Sequence, residues 1–547
     1  MFAAPRGRLP IGCGSLAPFT TPVPGGNCAE TSGGPPGSPH PANAAHTITD
    51  VQTPNRMANS IPTPPLTPGT PARSRLLWAA LAALTLLRLA VAALTPLSPD
   101  EAYYWTWSRA LAPGYLDHPP MIALWVRLGT MIAGDTPLGV RLLAPLAAAA
   151  GTLLLMDAAR TLFPGTRTAT RAAILLNATL ILGAGAVTMT PDTPLLLFWT
   201  AALAALARTA LARTTAAPGP WWLAVGLASG LALDSKYTAA LLGLGIAFWL
   251  LTPAMRPHLR TPWPWLGGLL AALLTTPVIA WNATHGWASF AKQGGRTADW
   301  HPARAAQFLA ELLAGQAALA TPLLFVLFIL ATITAARRWR TPAWSLLAAL
   351  ILPGTALFLQ HAIGDRVQPN WPAILYPAAA LAAAAAPRRW WPGAATLGAA
   401  LTAAAYLQAT AQFPLPKFLD PTARLAGWPA LAQAAAHTTP NPAFLASEEY
   451  GQASLLAFAG PGPPILGADP RWTLVDLPQS APTAPGLLLL SPRRQAPNPA
   501  LWTTADLVAT LPRTRDGLEL ETYRLYRVTP RPGAPLARLP DPRRTPP

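Results

Sequence analysis

The sequence predicts a mainly α, polytopic membrane protein that ends in a small α/β domain. Three observations predict it. Only 11% of the 547 residues are charged and 52% are hydrophobic, against roughly 25% charged in an ordinary soluble domain. Apolar runs of about twenty residues, the length that crosses a bilayer as a helix, recur through residues 76–411. After Gln412 hydropathy falls, and the pattern changes to short apolar segments and turns.

Residues 1–72 are rich in Pro, Gly, Thr, Ser and Ala without apolar periodicity. Such a segment buries too little apolar surface to offset its ordering entropy, so it is predicted to be disordered. It lacks the apolar core of a secretory signal. Met57 is expected to be the true start, because a short polar leader runs from it into the first apolar run. Cys13 and Cys28 both lie in this tail, which leaves the rest without a disulfide framework or a thiolate metal site.

The transmembrane domain is predicted over 73–412. Its first span is about 76–94, and ten more follow at about 138–158, 169–188, 193–212, 221–235, 237–253, 264–283, 306–335, 342–361, 371–387 and 390–411. Residues 118–134, an apolar segment containing Arg127, read as an interfacial helix. Residues 413–530 are predicted as an extracytoplasmic α/β domain, with a helix near 445–458, a short strand at 487–490, and a half-buried strand at 518–528, where apolar and polar residues alternate. The Pro/Arg-rich end, 531–547, is expected to be flexible.

The net charge is +17, nearly all of it arginine, since the only lysines are Lys236, Lys292 and Lys417. In a soluble protein this balance would suggest nucleic acid. Here the arginines collect in alternate connections: Arg160, Arg167 and Arg171; Arg208 and Arg213; Arg256 and Arg260; Arg337, Arg338 and Arg340; Arg388 and Arg389. The opposite connections hold Asp100, Glu101, Asp117, Asp192, Asp234, Asp299 and Asp365. By the positive-inside rule the N-terminus is cytoplasmic, the carboxylates face outward, and the C-terminal domain is extracytoplasmic. No nucleic-acid partner is expected.

The chemistry concentrates in residues 97–121, LSPDEAYYWTWSRALAPGYLDHPPM, directly after the first span. Asp100 and Glu101 suit a general base, although acid in the first turn of a helix behind Ser98 and Pro99 also has a purely structural explanation. Tyr104 and Trp107 offer aromatic surface to a substrate. Asp117 and His118 precede Pro119-Pro120, as a turn into a helix would. With Asp100 and Asp192 they also supply oxygen and imidazole ligands suited to a divalent cation, and the metal candidates are Asp100, His118 and Asp192. Asp192, in MTPDTPLLLFW, is either a turn cap or a partner of Asp100 on the same face. Lys236, in LALDSKYTAALL, sits between apolar runs, where an ionisable group is functional by default unless it snorkels outward. Arg141, in TPLGVRLLAPLAA, is an interface anchor, or it pairs with a carboxylate or a lipid phosphate. Arg296, in QGGR, belongs to a basic glycine-containing loop suited to phosphate or to a lipid surface. Residues 361–370, with His361, Asp365, Arg366 and Asn370, add a further outer loop.

At these residues the chain resembles the bacterial polyprenyl-phosphate-sugar-dependent glycosyltransferases related to protein O-mannosyltransferases and to the lipid A aminoarabinose transferase. The matching segments are DEAYYWTWS at 100–108, GYLDHPPM at 114–121, GVRLLAPL at 139–146, TPDTPLLLFW at 190–199, ASGLALDSKYTAALL at 228–242, QGGR at 293–296 and PNWPA at 369–373. The resemblance covers roughly residues 75–410. It implies a GT-C-type bundle with its site at the outer membrane face, and inverting transfer from a polyprenyl-phosphate sugar donor to an envelope glycolipid, glycan or protein acceptor, in contact with the lipid bilayer. It further implies Asp100 as the base that deprotonates the acceptor hydroxyl, with Glu101 beside it and Asp192 as a second acid or metal ligand. Lys236, Arg141 and Arg296 are then candidates for the donor phosphate, and Tyr104, Trp107, Asp117 and His118 for substrate contact. Where the aminoarabinose transferases carry Glu-Lys before the Pro-Pro pair, this chain has Asp117-His118, so the resemblance does not extend to the sugar or the acceptor.

A secondary transporter or lipid-sugar flippase would also carry many spans and membrane-depth charge. Against it stand the clustering of charge at one face and the lack of an obvious inverted repeat. A glycan polymerase or ligase differs only in its acceptor. A non-catalytic scaffold would make Asp100 and Lys236 dispensable.

Overall fold

The computed structural model describes residues 71–543, except 165, 212–218, 299, 416–419, 421 and 461. The predicted disordered tail up to residue 70, with Met57 and both cysteines, lies outside the described residues.

The chain opens with α1 (Pro71–Leu94), α2 (Pro99–Arg109), α3 (Met121–Ala133), α4 (Pro137–Arg141) and α5 (Leu143–Leu162). Next come α6 (Thr166–Asn177), α7 (Leu180–Gly185), α8 (Asp192–Leu211), α9 (Gly219–Leu233), α10 (Ala240–Leu250) and α11 (Trp263–Thr284). The helical part closes with α12 (Ala288–Ala298), α13 (Ala305–Ala320), α14 (Pro322–Arg337), α15 (Pro342–His361), α16 (Tyr376–Ala385) and α17 (Trp391–Ala411). Many of the prolines sit in first turns, as Pro99, Pro137, Pro322 and Pro342 do. There the missing N–H would have had no helical partner, so proline starts the helix at no cost in hydrogen bonds.

Among the described residues five stretches are long and apolar enough to cross a membrane: Arg75–Leu94, Pro137–Leu162, Asp192–Leu211, Trp263–Thr284 and Pro342–His361. Predicted spans 306–335 and 169–188 are each broken into two helices. Residues 306–335 bend by 107° between α13 and α14, at Thr321, which has φ 76° and precedes a proline that has no N–H to continue the ladder. Residues 169–188 break between α6 and α7, where Thr179 leaves helical geometry and its hydroxyl caps Leu182. The helix predicted at 118–134 is present as α3. Close helix packing rests on small residues: a Cβ on Gly226 of α9 would meet the Gly267 carbonyl of α11 at 2.2 Å.

The C-terminal domain carries α18 (Trp428–His437) and α19 (Tyr450–Ala459) with a seven-stranded sheet. Its strands are β1 (Leu445–Ser447), β2 (Ile465–Gly467), β3 (Gln479–Ser480), β4 (Gly486–Leu490), β5 (Trp502–Arg515), β6 (Leu518–Pro530) and β7 (Leu536–Arg538), in the order β3-β7-β2-β1-β4-β6-β5. β1 runs parallel to β2 and β4, and the remaining pairs are antiparallel. The predicted helix at 445–458 is strand β1 followed by α19, and the predicted flexible end at 531–547 contains β7, which pairs with β2 and β3. One hydrophobic core joins this domain to the stretch after the first span: Tyr103, Trp105, Trp107, Ile122 and Val126 pack in the same cluster as Trp428, Leu456, Trp472 and Leu487.

Candidate active site

Helix α2 sets the site. Ser98 caps it in a reciprocal box: the Glu101 N–H donates to Ser98 Oγ at 3.3 Å, and the Ser98 N–H donates to Glu101 Oε2 at 2.9 Å. Successive helical residues point about 100° apart, so Glu101 turns inward while Asp100 stays on the open side.

Glu101 and Arg141 are both fully buried and form a bidentate pair, Nε to Oε1 at 2.5 Å and Nη2 to Oε2 at 2.6 Å. Arg141 also donates to the carbonyls of Ala92, Thr95 and Pro96 at the end of α1, and Glu101 accepts the Met189 N–H at 2.9 Å. Burial acts to raise the Glu101 carboxyl, but Arg141 and the Ser98 and Met189 N–H groups outweigh it and hold it below the ordinary carboxylate range. This corrects the expectation for Glu101 and decides between the alternatives for Arg141, which pairs with a carboxylate rather than a lipid phosphate. Glu101 does not face substrate, and Arg141 does not face a donor phosphate, because each is enclosed with its polar atoms engaged. Together they lock the end of α1, α2, α4 and the loop before Asp192 into one piece.

Asp100 accepts a hydrogen bond from the Tyr450 hydroxyl at 3.0 Å. The protein atoms around its carboxyl raise its pKa above the ordinary value, with Tyr450 and Arg424 pulling the other way and Asp117 and Glu101 adding to the rise. Asp117 is a hub. Lys292 donates to it, Arg471 lies 3.2 Å away, and the Tyr103 hydroxyl donates to it at 3.1 Å. Burial raises this carboxyl too, but Lys292 and Arg471 outweigh burial and lower it. Tyr104 is within electrostatic reach of the acids. Burial chiefly, then Asp100, Asp117, Tyr450 and Asp192, push its hydroxyl well above the ordinary value. His118 stands edge-on to Tyr104 at 6.1 Å between ring centroids.

At the first turn of α8, Asp192 binds Lys236 Nζ at 2.7 and 2.9 Å and accepts from Asn370 Nδ2 at 2.6 Å. Lys236 therefore does not snorkel to solvent. A mainly apolar cavity of about 190 Å3 runs from this polar end along α5, α7 and α8, walled by Ala147, Gly151, Leu176, Leu182 and Leu196.

The remaining candidates behave differently. Trp107 is fully buried and stacks on Tyr115 at 4.2 Å and 2°, so it supports the loop after α2 rather than touching substrate. The Arg296 side chain lies outside the described residues. Among the described residues no three His, Cys, Asp or Glu side chains gather as a metal-holding set. Asp100, His118 and Asp192 do not form one, and Asp192 is occupied by Lys236 and Asn370. Sequence reasoning did not find Tyr450 or Arg471. They stand 350 and 354 positions from their carboxylate partners, and no local pattern marks them.

The arrangement offers one open carboxylate, two carboxylates neutralised by cations, and an apolar trough ending at one of the neutralised pairs. A family model described as dolichyl-phosphate-mannose-protein mannosyltransferase matches residues 117–281. The lipid A galacturonosyltransferase RgtD of Rhizobium johnstonii is 34% identical over 190 residues, which make up 34% of this chain and 38% of that protein. The alignment thus spans well under half of that relative. ArnT from Cupriavidus metallidurans bound to undecaprenyl phosphate superposes with a TM-score of 0.58 at 18% identity, covering 84% of this chain and 98% of ArnT. Its apo form gives 0.57 at 17%, covering 83% and 98%. The chain is therefore a multi-pass membrane protein that shares the fold of ArnT and, over part of its length, is similar to the mannosyltransferase family model and to RgtD.

Proposed function

We propose that the chain is a glycosyltransferase that moves a sugar from a polyprenyl-phosphate donor to a hydroxyl of a cell-envelope acceptor, with inversion, at the outer face of the inner membrane. The acceptor class is lipid A or lipopolysaccharide, another glycan, or a protein. The observation that carries this reading is the apolar trough ending at Asp192 and Asn370, with Lys236 bonded to Asp192 behind them, and with Asp192 and Asp100 both within electrostatic reach of the Tyr104 hydroxyl. An isoprenoid tail lies in the trough, its phosphate meets Lys236, and the sugar extends towards Asp100. Asp100 takes the proton of the acceptor hydroxyl, the acceptor oxygen bonds to the anomeric carbon, and the bond from that carbon to the phosphate oxygen breaks. Polyprenyl phosphate leaves as an anion, so it needs positive charge rather than a strong acid, and Lys236 supplies it.

The same reading places the N-terminus in the cytoplasm and the C-terminal domain outside. The Asp157–Arg208 ion pair and Arg160 fall at the ends of α5 and α8 away from Asp192, where positive charge faces the cytoplasm. It keeps eleven crossings, with the two broken segments, the shorter apolar helices α9, α10 and α16, and α17 completing the five long ones. No step is routed through a metal, since the donor set does not converge. Chelator treatment tests the expected divalent cation: a loss of transfer that added cation restores would reinstate it.

Two variants test the trough and its head. Gly151 lines the cavity, and a Cβ there would meet nothing within 4 Å. Gly151→Leu is expected to fill the trough without disturbing the fold and to weaken polyprenyl-phosphate binding by about tenfold or more, a cost of ~1.4 kcal/mol, measured by ligand titration on the purified protein. Unchanged binding would place the tail elsewhere. Lys236→Ala is expected to raise the donor KM by at least about tenfold and to reduce kcat, because the departing phosphate loses its counter-charge. Wild-type kinetics would remove Lys236 from the donor site.

A further inference from the structure

We propose that the C-terminal domain is a working part of the catalytic centre: Tyr450 is a positioning residue that holds the Asp100 carboxylate towards the acceptor, and Arg471 holds Tyr450. The inference rests on Asp100 being the base.

Asp100 projects from the first turn of α2 on its open side. Its side chain would rotate freely there without a partner. Among the described residues the side chain that bonds it is Tyr450, across a domain boundary, through Oδ1 at 3.0 Å. That leaves Oδ2 for the acceptor hydroxyl. The Tyr450 ring is itself fixed. It lies 4.6 Å from Tyr103 between centroids, and the Arg471 guanidinium sits 3.8 Å over its face. Arg471 is anchored in turn by Asp117 at 3.2 Å and Asp469 at 3.1 Å. A phenylalanine would satisfy all of these ring contacts. The hydroxyl adds only the bond to Asp100, so its purpose lies there.

The docking around Tyr450 is equally specific. The next residue, Gly451, faces Pro99, and a Cβ there would meet Pro99 Cβ at 2.7 Å. The start of α19 therefore lies against the start of α2, one residue from the carboxylate. An appendage that only gathered acceptor would not need this approach, nor a core shared with α2. During transfer Tyr450 keeps its proton. It donates to Oδ1 before and after Oδ2 takes the acceptor's proton, so the bond fixes geometry without entering the proton balance.

The test uses full-length protein in lipid nanodiscs, with Tyr450→Phe, Arg471→Gln and Asp100→Asn in parallel. The readouts are kcat, donor KM, binding of polyprenyl phosphate and thermal midpoint. Tyr450→Phe is expected to lower kcat by about tenfold to a hundredfold, the scale of a misplaced reacting group. Donor KM, polyprenyl-phosphate binding and thermal midpoint stay at wild-type values. Arg471→Gln lowers kcat in the same way, to a smaller degree. Wild-type kcat in Tyr450→Phe, or a loss that only follows a fall in thermal midpoint or in donor binding, overturns the inference. If Asp100→Asn transfers normally, the assignment of the base has failed and the inference falls with it. If Asp100→Asn is inactive while Tyr450→Phe is unimpaired, the inference alone has failed.

Discussion

Replacing Asp100 with asparagine is expected to reduce sugar transfer by about 10²–10⁴-fold, the contribution of a positioned general base, with yield, membrane insertion and thermal midpoint unchanged. The amide retains an oxygen for the Tyr450 hydroxyl and nearly the same shape, so local structure has no reason to move. What it loses is basicity. Among the described residues Asp100 is also the acid in the site without a cation bonded to it, whereas Asp117 and Asp192 carry Lys292 and Lys236. Glu101, its neighbour in sequence, cannot substitute, because Arg141 encloses it. Transfer at the wild-type rate in Asp100→Asn would remove Asp100 from the chemistry.

Arg141→Ala is expected to be the most destabilising single change near the site. It leaves Glu101 as a buried carboxylate without a partner charge, a loss of about 3–5 kcal/mol when one member of a buried pair is removed. It also strips the donors from three carbonyls at the end of α1. The expected result is a sharp fall in folded yield and in thermal midpoint, seen by size-exclusion chromatography and a melting scan. Removing both charges, in Glu101→Leu with Arg141→Leu, should cost less than removing Arg141 alone, because no uncompensated ion remains. An Arg141→Ala protein as stable as wild type would contradict the structural role given to the pair and reopen a role at the donor phosphate.

That the chain is a multi-pass membrane protein was legible because apolar run length is a strong signal that acts over one segment at a time. The two broken spans escaped for a physical reason. A bend at Thr321 leaves hydropathy unchanged, and only the unusual φ of that residue and the following proline report it. The site was legible as a set of residues and less so as a set of roles. Asp100, Asp117, Asp192 and Lys236 come together as their types suggested. Glu101 and Arg141 carry the same charges but point into protein, and periodicity within an eleven-residue helix does not reveal what covers each face. Trp107 likewise reads as surface for substrate until Tyr115 is seen stacked on it. Tyr450 and Arg471 were beyond reach, since their role arises only when two domains meet.

The most direct test is release of polyprenyl phosphate from a panel of polyprenyl-phosphate sugars by the purified full-length protein, with envelope acceptor fractions present. Wild type is expected to release the carrier from at least one donor and to pass the sugar to acceptor with inverted anomeric configuration, and Asp100→Asn to do neither. Carrier that stays glycosylated with every donor, from folded protein that instead moves the lipid-linked sugar across vesicles, would contradict the account and identify a flippase.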